Sequence, residues 1–227
     1  MIKRLLIANR GEIAIRVART AREMGVACIG IYSEADRGAL HRRAMDESIE
    51  VGGAPPAESY LNIERILRAA RDARADAVHP GYGFLAENAE FAARCEEARL
   101  IFVGPPPEAM ALSGDKIACR RKMAAAGIPV TRGVDRILTS VEEAHEVADR
   151  IGYPVLFKAT AGGGGIGMSR VERPAQLPAA FEASRSVALA NFGSPDLFLE
   201  AYIPRARHIE VQVLLGRRGR GLHLGER

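Results

Sequence analysis

The sequence predicts an α/β protein: an N-terminal doubly wound domain on a parallel sheet, then a second α/β region whose strands flank a glycine-rich loop. Three observations carry this. Short apolar runs alternate with amphipathic helical stretches through about residue 104, the pattern of βαβ units building a parallel sheet. A helical connector then leads to a second region, beginning near Ile128, where strand, glycine loop and strand follow with no helix between them. The chain has 227 residues, 48% of them hydrophobic, enough for one or two buried cores.

In order, Ile2 to Ala8 is a short apolar run, and Gly11 to Met24 is helical in pattern. Ile13, Val17, Ala21 and Met24 fall at spacings of four, four and three, which marks one helix face. Gly25 ends that helix and Val26 to Tyr32 reads as a buried strand. Ser48 to Val51 is a third strand, closed by a Gly/Pro-rich turn at residues 52 to 56. Asn62 caps a helix carrying Ile63, Ile66, Leu67 and Ala70 on one side. Ala77-Val78-His79 is a strand, Ala86 to Arg99 a helix, and Leu100 to Val103 a fifth strand. Ligands of doubly wound sheets sit beyond the carboxyl ends of the strands, so Asn9 to Glu12 and His79 to Glu87 are expected at a common rim. They are equally compatible with loops that only turn the chain.

Glu108 to Ala126 is a helical connector ending at Gly127, with Asp115 placed to cap its second part and Lys116 in the following first turn. A lysine there opposes the helix dipole unless it is solvated or faces an anion. Ser140-Val141-Glu142-Glu143 has the form of a capping box and starts a helix to Arg150. After the glycine loop come a helix over Ala175 to Ala190, a short strand at Leu197 to Leu199, and a half-buried strand over His208 to Leu215. In the last, His208, Glu210 and Gln212 alternate with Ile209, Val211 and Val213. A hairpin turn over Gly216 to Gly221 leads to a returning strand from Leu222. There is no internal repeat.

Composition excludes several classes. No apolar run approaches membrane-spanning length, and Asn9-Arg10 interrupts the N-terminal run too early for a signal peptide. The three cysteines, Cys28, Cys95 and Cys119, lack metal-ligand spacing and read as thiols of a reducing compartment, so a cytoplasmic location is expected. Net charge is +4, but the cations are dispersed among acids and not interleaved with aromatics, which argues against nucleic-acid binding. Only Lys3, Lys116, Lys122 and Lys158 are lysine in an arginine-rich chain. Lysine is the compact, flexible point charge of the two.

The stretch richest in chemistry runs from Pro154 to Met168: an apolar run that reads as a buried strand, Lys158 at its end, then Gly162, Gly163, Gly164, Gly165 and Gly167. Glycines let a ligand approach bare N–H groups, and successive N–H groups beside a lysine form an anion cradle suited to a chain of phosphates. A P-loop is excluded because its lysine follows the glycines. Gly162-x-Gly164-x-x-Gly167 matches a dinucleotide fingerprint in letters, but that motif must open a helix. Here the short segment Met168 to Glu172 is closed by Pro174 and reads as a second strand. The loop is therefore expected to lie as a flap over a nucleotide, the alternative being a flexible hairpin with no ligand.

Taken together, Ile7 to Ala14 (IANRGEIA), His79 to Asn88 (HPGYGFLAEN), Gly114-Asp115-Lys116, Lys158 with its glycine loop, and Arg207 to Val213 (RHIEVQV) resemble the biotin carboxylase family over the whole chain. The resemblance implies an N-terminal α/β domain, residues 1–112, followed by an ATP-grasp domain, residues 113–227. A small lobe at about 130–205 would fold over ATP. It further implies that Lys116 and Lys158 contact the nucleotide's phosphates, that Gly162 to Gly165, Gly167 and Met168 close over it, that Glu200, Ala201, Tyr202 and Ile203 hold adenine, and that His208 lies near the ribose.

The implied reaction is ATP-dependent formation of carboxyphosphate from bicarbonate, with carboxyl transfer to biotin on a carrier protein. A carboxyltransferase component and a homodimeric full-length form are the implied partners, with Arg19 and Glu23 matching interface positions. No residue is assigned as base or nucleophile, since phosphoryl transfer asks mainly for cations and positioning. Two departures matter. Ile166 stands where the family carries lysine or arginine. The family's Mg2+-binding glutamates, together with its bicarbonate- and biotin-handling residues, are expected beyond residue 227. The ATP-grasp domain is thus expected to be incomplete and the isolated chain not to turn over. Two other readings remain: a non-catalytic nucleotide-binding or oligomerisation module, and another ATP-grasp ligase such as a carbamoyl-phosphate enzyme, against which the His79 to Asn88 motif argues.

Overall fold

The computed structural model describes residues 2–160, 167–216 and 219–226. The chain forms two compact units, residues 1–127 and 128–227. The first is built from β1 (Arg4–Ile7), α1 (Gly11–Glu23), β2 (Ala27–Ser33), α2 (Leu40–Arg43), β3 (Glu47–Gly52), α3 (Ile63–Asp72), β4 (Ala77–His79), α4 (Ala89–Glu97), β5 (Ile101–Phe102), α5 (Pro107–Gly114) and α6 (Lys116–Ala125). All five strands are parallel, in the order β3-β2-β1-β4-β5, so the expected doubly wound sheet is present. Its two faces are buried by different helices. Leu5, Ile7, Cys28 and Ala77 pack under α1, while Leu6, Ile29, Ile31 and Val78 pack with Ile66, Leu67 and Phe91 of α3 and α4. Alternate residues of β1 thus serve opposite cores, as the two-residue period of a strand requires.

Local signals explain the boundaries, and several expectations shift. Asn62 caps α3 by accepting from Arg65 N at 3.1 Å. Asn88 does the same for α4, accepting from Phe91 N at 2.8 Å, so that helix starts at Ala89 and not at Ala86. The fifth strand is shorter than expected, residues 101–102. The connector breaks at Asp115, whose carboxylate accepts from Ile117 N and Ala118 N, both at 3.0 Å. The helix expected from Gly11 is present as α1, but the sheet does not bury the stripe of its larger residues. Its buried stripe is Ala14, Ala18 and Ala21, whereas Met24 is 74% exposed. Both stripes have helical spacing, but the helix lies on a sheet, and small side chains allow the closest approach and the largest burial there. Ile13, Val17 and Met24 line instead an apolar groove of about 660 Å3 beside Ile2 and Val26.

The second unit contains α7 (Val141–Ile151), β6 (Val155–Ala159), β7 (Ser169–Val171), α8 (Leu177–Phe192), β8 (Leu197–Ala201), β9 (Val211–Leu215) and β10 (Gly221–Glu226). Strands β7-β6-β8 form an antiparallel sheet. The strand after the glycine loop therefore pairs back on the strand before it, as the sequence predicts. Strand β6 is not buried on both sides: Val155, Phe157 and Ala159 are in the core, while Leu156 and Lys158 are half-buried on the other face. The core packs Phe157 edge-to-face on Phe181 of α8, with centroids 5.7 Å apart. Ala144, Val147 and Ala148 of α7 close it. Ser140 caps α7 through Glu143 N at 3.2 Å, but Glu143 reaches back to Thr139 N, not Ser140 N, at 2.7 Å. The expected strand over His208 to Leu215 begins only at Val211 and, among the described residues, pairs with β10 alone. It is exposed on both faces and not half-buried.

Candidate functional site

The face of the β7-β6-β8 sheet turned away from α7 and α8, called here the open face although Phe198 on it is buried, gathers charged residues of the second unit. In the antiparallel register Lys158 stands opposite Phe198 and Leu156 opposite Glu200. Opposed residues share a face, so Lys158 and Glu200 are diagonal neighbours there. The Lys158 Nζ makes an ion pair with Glu200 Oε1, and the two side chains are only 26% and 11% exposed. Thr131 Oγ1 donates to the other carboxylate oxygen at 2.9 Å. A charge so far removed from water must be paired and hydrogen-bonded, and this glutamate is both. Lys158 is thereby held at the end of its strand, where the glycine loop departs.

The segment that follows Glu200 is fixed through its backbone. Ala201 N donates to Arg132 O at 2.7 Å and Tyr202 N to Pro154 O at 3.0 Å, while Val134 N donates to Leu199 O at 3.0 Å. Residues 131–138 thus run beside β8 as an irregular edge, and Gly133 lets them do so. A Cβ on Gly133 would lie 2.7 Å from Leu199 O and 2.9 Å from Glu200 Cβ. Neither Thr131 nor Gly133 carries a sequence signal, because their partners are nearly seventy residues away in the chain.

The remaining candidates are distributed as follows. Gly167 adopts φ +75°, the left-handed region that glycine favours, and Met168 is exposed just before β7. Gly162, Gly163, Gly164 and Gly165, together with Ile166, lie outside the described residues. Ala201, Tyr202 and Ile203 continue β8 beyond Glu200. His208 precedes β9 with an exposed ring, its Nε2 3.1 Å from Glu210 Oε1. Lys116 belongs to the first unit, half-buried as the first residue of α6. Among the described residues, no group of three or more His, Cys, Asp or Glu side chains could hold a metal ion. No helix among them is long and apolar enough to cross a membrane.

The first unit has its own polar focus, at the point where the strand order reverses between β1 and β4, the usual ligand crevice of such sheets. The two expected rim loops do meet there. Asn9 is buried, its Nδ2 donating to Pro80 O at 2.8 Å and Tyr82 O at 2.7 Å. The Tyr82 hydroxyl donates to the Glu12 carboxylate. A crevice of about 380 Å3 opens between Arg10, Glu12, Tyr82 and Phe84. Arg10 stacks over Tyr60 and Phe84 and bonds Asp36 at 3.1 Å. Tyr60 donates to Asp36 at 2.6 Å. Burial, reinforced by that bond, pushes the Tyr60 hydroxyl up to about 12. Burial also holds His79 below the ordinary imidazole range, and its Nδ1 accepts from Gly81 N at 3.0 Å.

Comparison with known proteins identifies the family. Residues 1–110 match the family model described as biotin carboxylase, N-terminal domain, and residues 115–227 match that of the carbamoyl-phosphate synthase L chain, ATP binding domain. Biotin carboxylase 2 of Bacillus subtilis is 48% identical over all 227 residues. The chain belongs to the biotin carboxylase family. The mitochondrial pyruvate carboxylase of Homo sapiens is 47% identical, again over the whole chain.

Among solved structures, the biotin carboxylase of Campylobacter jejuni in its β,γ-ATP complex superposes with a TM-score of 0.96 at 48% identity, covering 100% of this chain and 51% of that one. The biotin carboxylase domain dimer of Hydrogenobacter thermophilus 2-oxoglutarate carboxylase, solved with MgADP, ADP and bicarbonate, gives 0.95 at 46% identity, covering 100% and 50%. The chain spans about half the length of the Bacillus relative, 51%, and 19% of the much longer human one.

Proposed function

We propose that this chain is the nucleotide-binding portion of a biotin carboxylase and that ATP lies along the open face of the β7-β6-β8 sheet. The observation that carries the reading is the desolvated Lys158–Glu200 pair on the face turned away from α7 and α8, with a glycine loop leaving the same strand. Lys158 is then the cation for the phosphates. Gly162 to Gly165, Gly167 and Met168 cover the phosphates. The Glu200 to Ile203 segment takes the adenine, and His208 takes the ribose. Support for the base site comes from the backbone: Ala201 and Tyr202 have committed their N–H groups, and Ile203 N is the next donor along the segment.

In the whole enzyme the reaction would be a ligase half-reaction. A bicarbonate oxygen would attack the γ-phosphorus as ADP leaves; the carbon–oxygen bond of the resulting carboxyphosphate would then break, inorganic phosphate leaving, as the carboxyl group passes to a ureido nitrogen that gives up its proton, on biotin held by a carrier protein for a carboxyltransferase component. The residues present act by placing charge and excluding water around the phosphates, where fixed cations count for more than in solution. The described acids do not form a Mg2+ site, and no step is assigned to the metal here. A cytoplasmic location and a dimeric full-length form belong to the same proposal.

Calorimetric titration with MgATP tests the reading. The unsubstituted chain is expected to bind, and Lys158→Ala to weaken binding by about tenfold or more, the scale of a lost charge-assisted phosphate contact. Equal affinity in the two proteins would show that Lys158 does not serve the phosphates.

A further inference from the structure

Arg170 lies on the same face and has no role in the nucleotide site so far. On β7 it stands opposite Leu156 of β6, which on its other side stands opposite Glu200 of β8. Arg170, Leu156 and Glu200 therefore form one row across the open face. The guanidinium carbon of Arg170 sits 4.1 Å over the ring of Tyr202, and its Nη2 makes an ion pair with Glu172. Tyr202 follows β8 directly. Strands β7 and β8 are not neighbours, since β6 separates them, so this contact joins them across the face.

We propose that Arg170 is a positioning residue for the nucleotide base: stacked on Tyr202, it fixes the Glu200–Ile203 segment relative to the strand that returns from the glycine loop, and so sets the preference for adenine. The inference rests on the nucleotide reading of this face. A guanidinium is planar and stacks flat on an aromatic ring, which an ammonium does not. It orients Tyr202, and Tyr202 orients the next peptide, whose N–H at Ile203 donates to no group among the described residues. An N–H beside a carbonyl matches adenine, which offers an acceptor at N1 and a donor at N6. Guanine offers the reverse at those two positions. Loosening the segment therefore removes discrimination between the bases while leaving the phosphate contacts at Lys158 intact.

The test titrates the unsubstituted chain, Lys158→Ala, Arg170→Met and Arg170→Lys with MgATP and with MgGTP, and follows exchange of the Tyr202 amide without nucleotide. Arg170→Met is expected to weaken MgATP about three- to tenfold, the worth of a partly exposed cation–π contact. MgGTP affinity should stay within about twofold, so the ATP preference narrows, and the Tyr202 amide should exchange faster by a similar factor. Arg170→Lys should restore part of the preference and carries the test if the methionine variant does not fold. Lys158→Ala should weaken both nucleotides together. An unchanged ATP/GTP ratio in Arg170→Met, with Lys158→Ala weakened, overturns the positioning role and leaves the nucleotide reading standing. If the unsubstituted chain binds no MgATP, the nucleotide reading fails and this one with it. Unchanged Tyr202 exchange overturns the brace whatever the nucleotide results.

Discussion

The two sheets of this chain keep their chemistry in different places. The five-stranded sheet is covered by helices on both faces, so its polar groups collect at the strand ends, where Asn9, Arg10 and Tyr82 meet. The three-stranded sheet packs one face on α7 and α8, and its charged residues stand on the other face. The cause is the connection between strands. Parallel neighbours need crossovers that lay helices on the sheet, while antiparallel neighbours need only a hairpin. The glycines of a dinucleotide fingerprint lie between a strand and the helix they open, whereas the glycines here lie in sequence between β6 and β7, two strands that pair with each other.

The largest effect should come from cutting the covered side of the smaller sheet. Phe157 is fully buried against Phe181, so Phe157→Ala should cost about 3–5 kcal/mol. Its neighbour Leu156, half-buried on the open face, should cost less than about 1.5 kcal/mol as Leu156→Ala. Urea unfolding followed by a probe in residues 128–227 measures both. Equal costs would mean that the sheet is covered on both faces and that the comparison fails.

Next come two glycines that each region uses for close approach. At Gly133→Ala the new Cβ would press on Leu199 O and Glu200, and overpacking of this kind costs about 1–3 kcal/mol. Because Glu200 is what moves, MgATP affinity should fall with stability. At the rim, Gly81 combines φ +67° with a Cβ position 2.7 Å from Asn9 Nδ2. Gly81→Ala should cost about 1–2 kcal/mol through backbone strain and leave unfolding of the second unit unchanged. A loss of stability in residues 128–227 from Gly81→Ala would deny the two units their separate cores.

A smaller effect separates the units by pH. Burial makes folded His79 harder to protonate than its ordinary 6.5, so between its folded and ordinary values the unfolded chain holds more protons. Stability from this group is complete above about pH 6.5 and declines as pH falls toward the folded value. Protonation would also remove the acceptor that Gly81 N uses. His79→Asn keeps an acceptor without the titration, so its stability deficit at about pH 7.5 should shrink at about pH 5.5. Denaturant titrations of the first unit at the two pH values check this, and a deficit that grows with acid would contradict the assigned cause.

How much of this was legible depended on how local the cause was. Asn62 and Asp115 announce their helix starts because a cap acts within three residues. Lys158, the glycines and Pro174 announce a hairpin for the same reason. Thr131 and Gly133 announce nothing, since residues 128–139 have no periodicity and their meaning comes from β8 alongside. Arg170 over Tyr202 is set by register, which no single segment specifies. The alternation from His208 to Val213 implies a half-buried strand, yet β9 has one strand partner and no covering layer among the described residues.

The smallest expected effect bears on the two stripes of α1. Ile13, Val17, Ala21 and Met24 form a proper helical stripe, but Ala14, Ala18 and Ala21 are what the sheet buries. Had the larger stripe faced the core, Met24→Gln would cost the burial of a whole side chain, about 1.5–3 kcal/mol. With Met24 exposed, the change should stay within about 0.5 kcal/mol, as surface substitutions do. The reciprocal substitution, Ala18→Leu, forces an isopropyl group into a fully buried position and should cost at least about 1–3 kcal/mol. Thermal unfolding of the two variants side by side measures which stripe the parallel sheet holds. Small residues win there because a helix lying on a sheet gains more from closeness along its whole length than from the size of any one side chain.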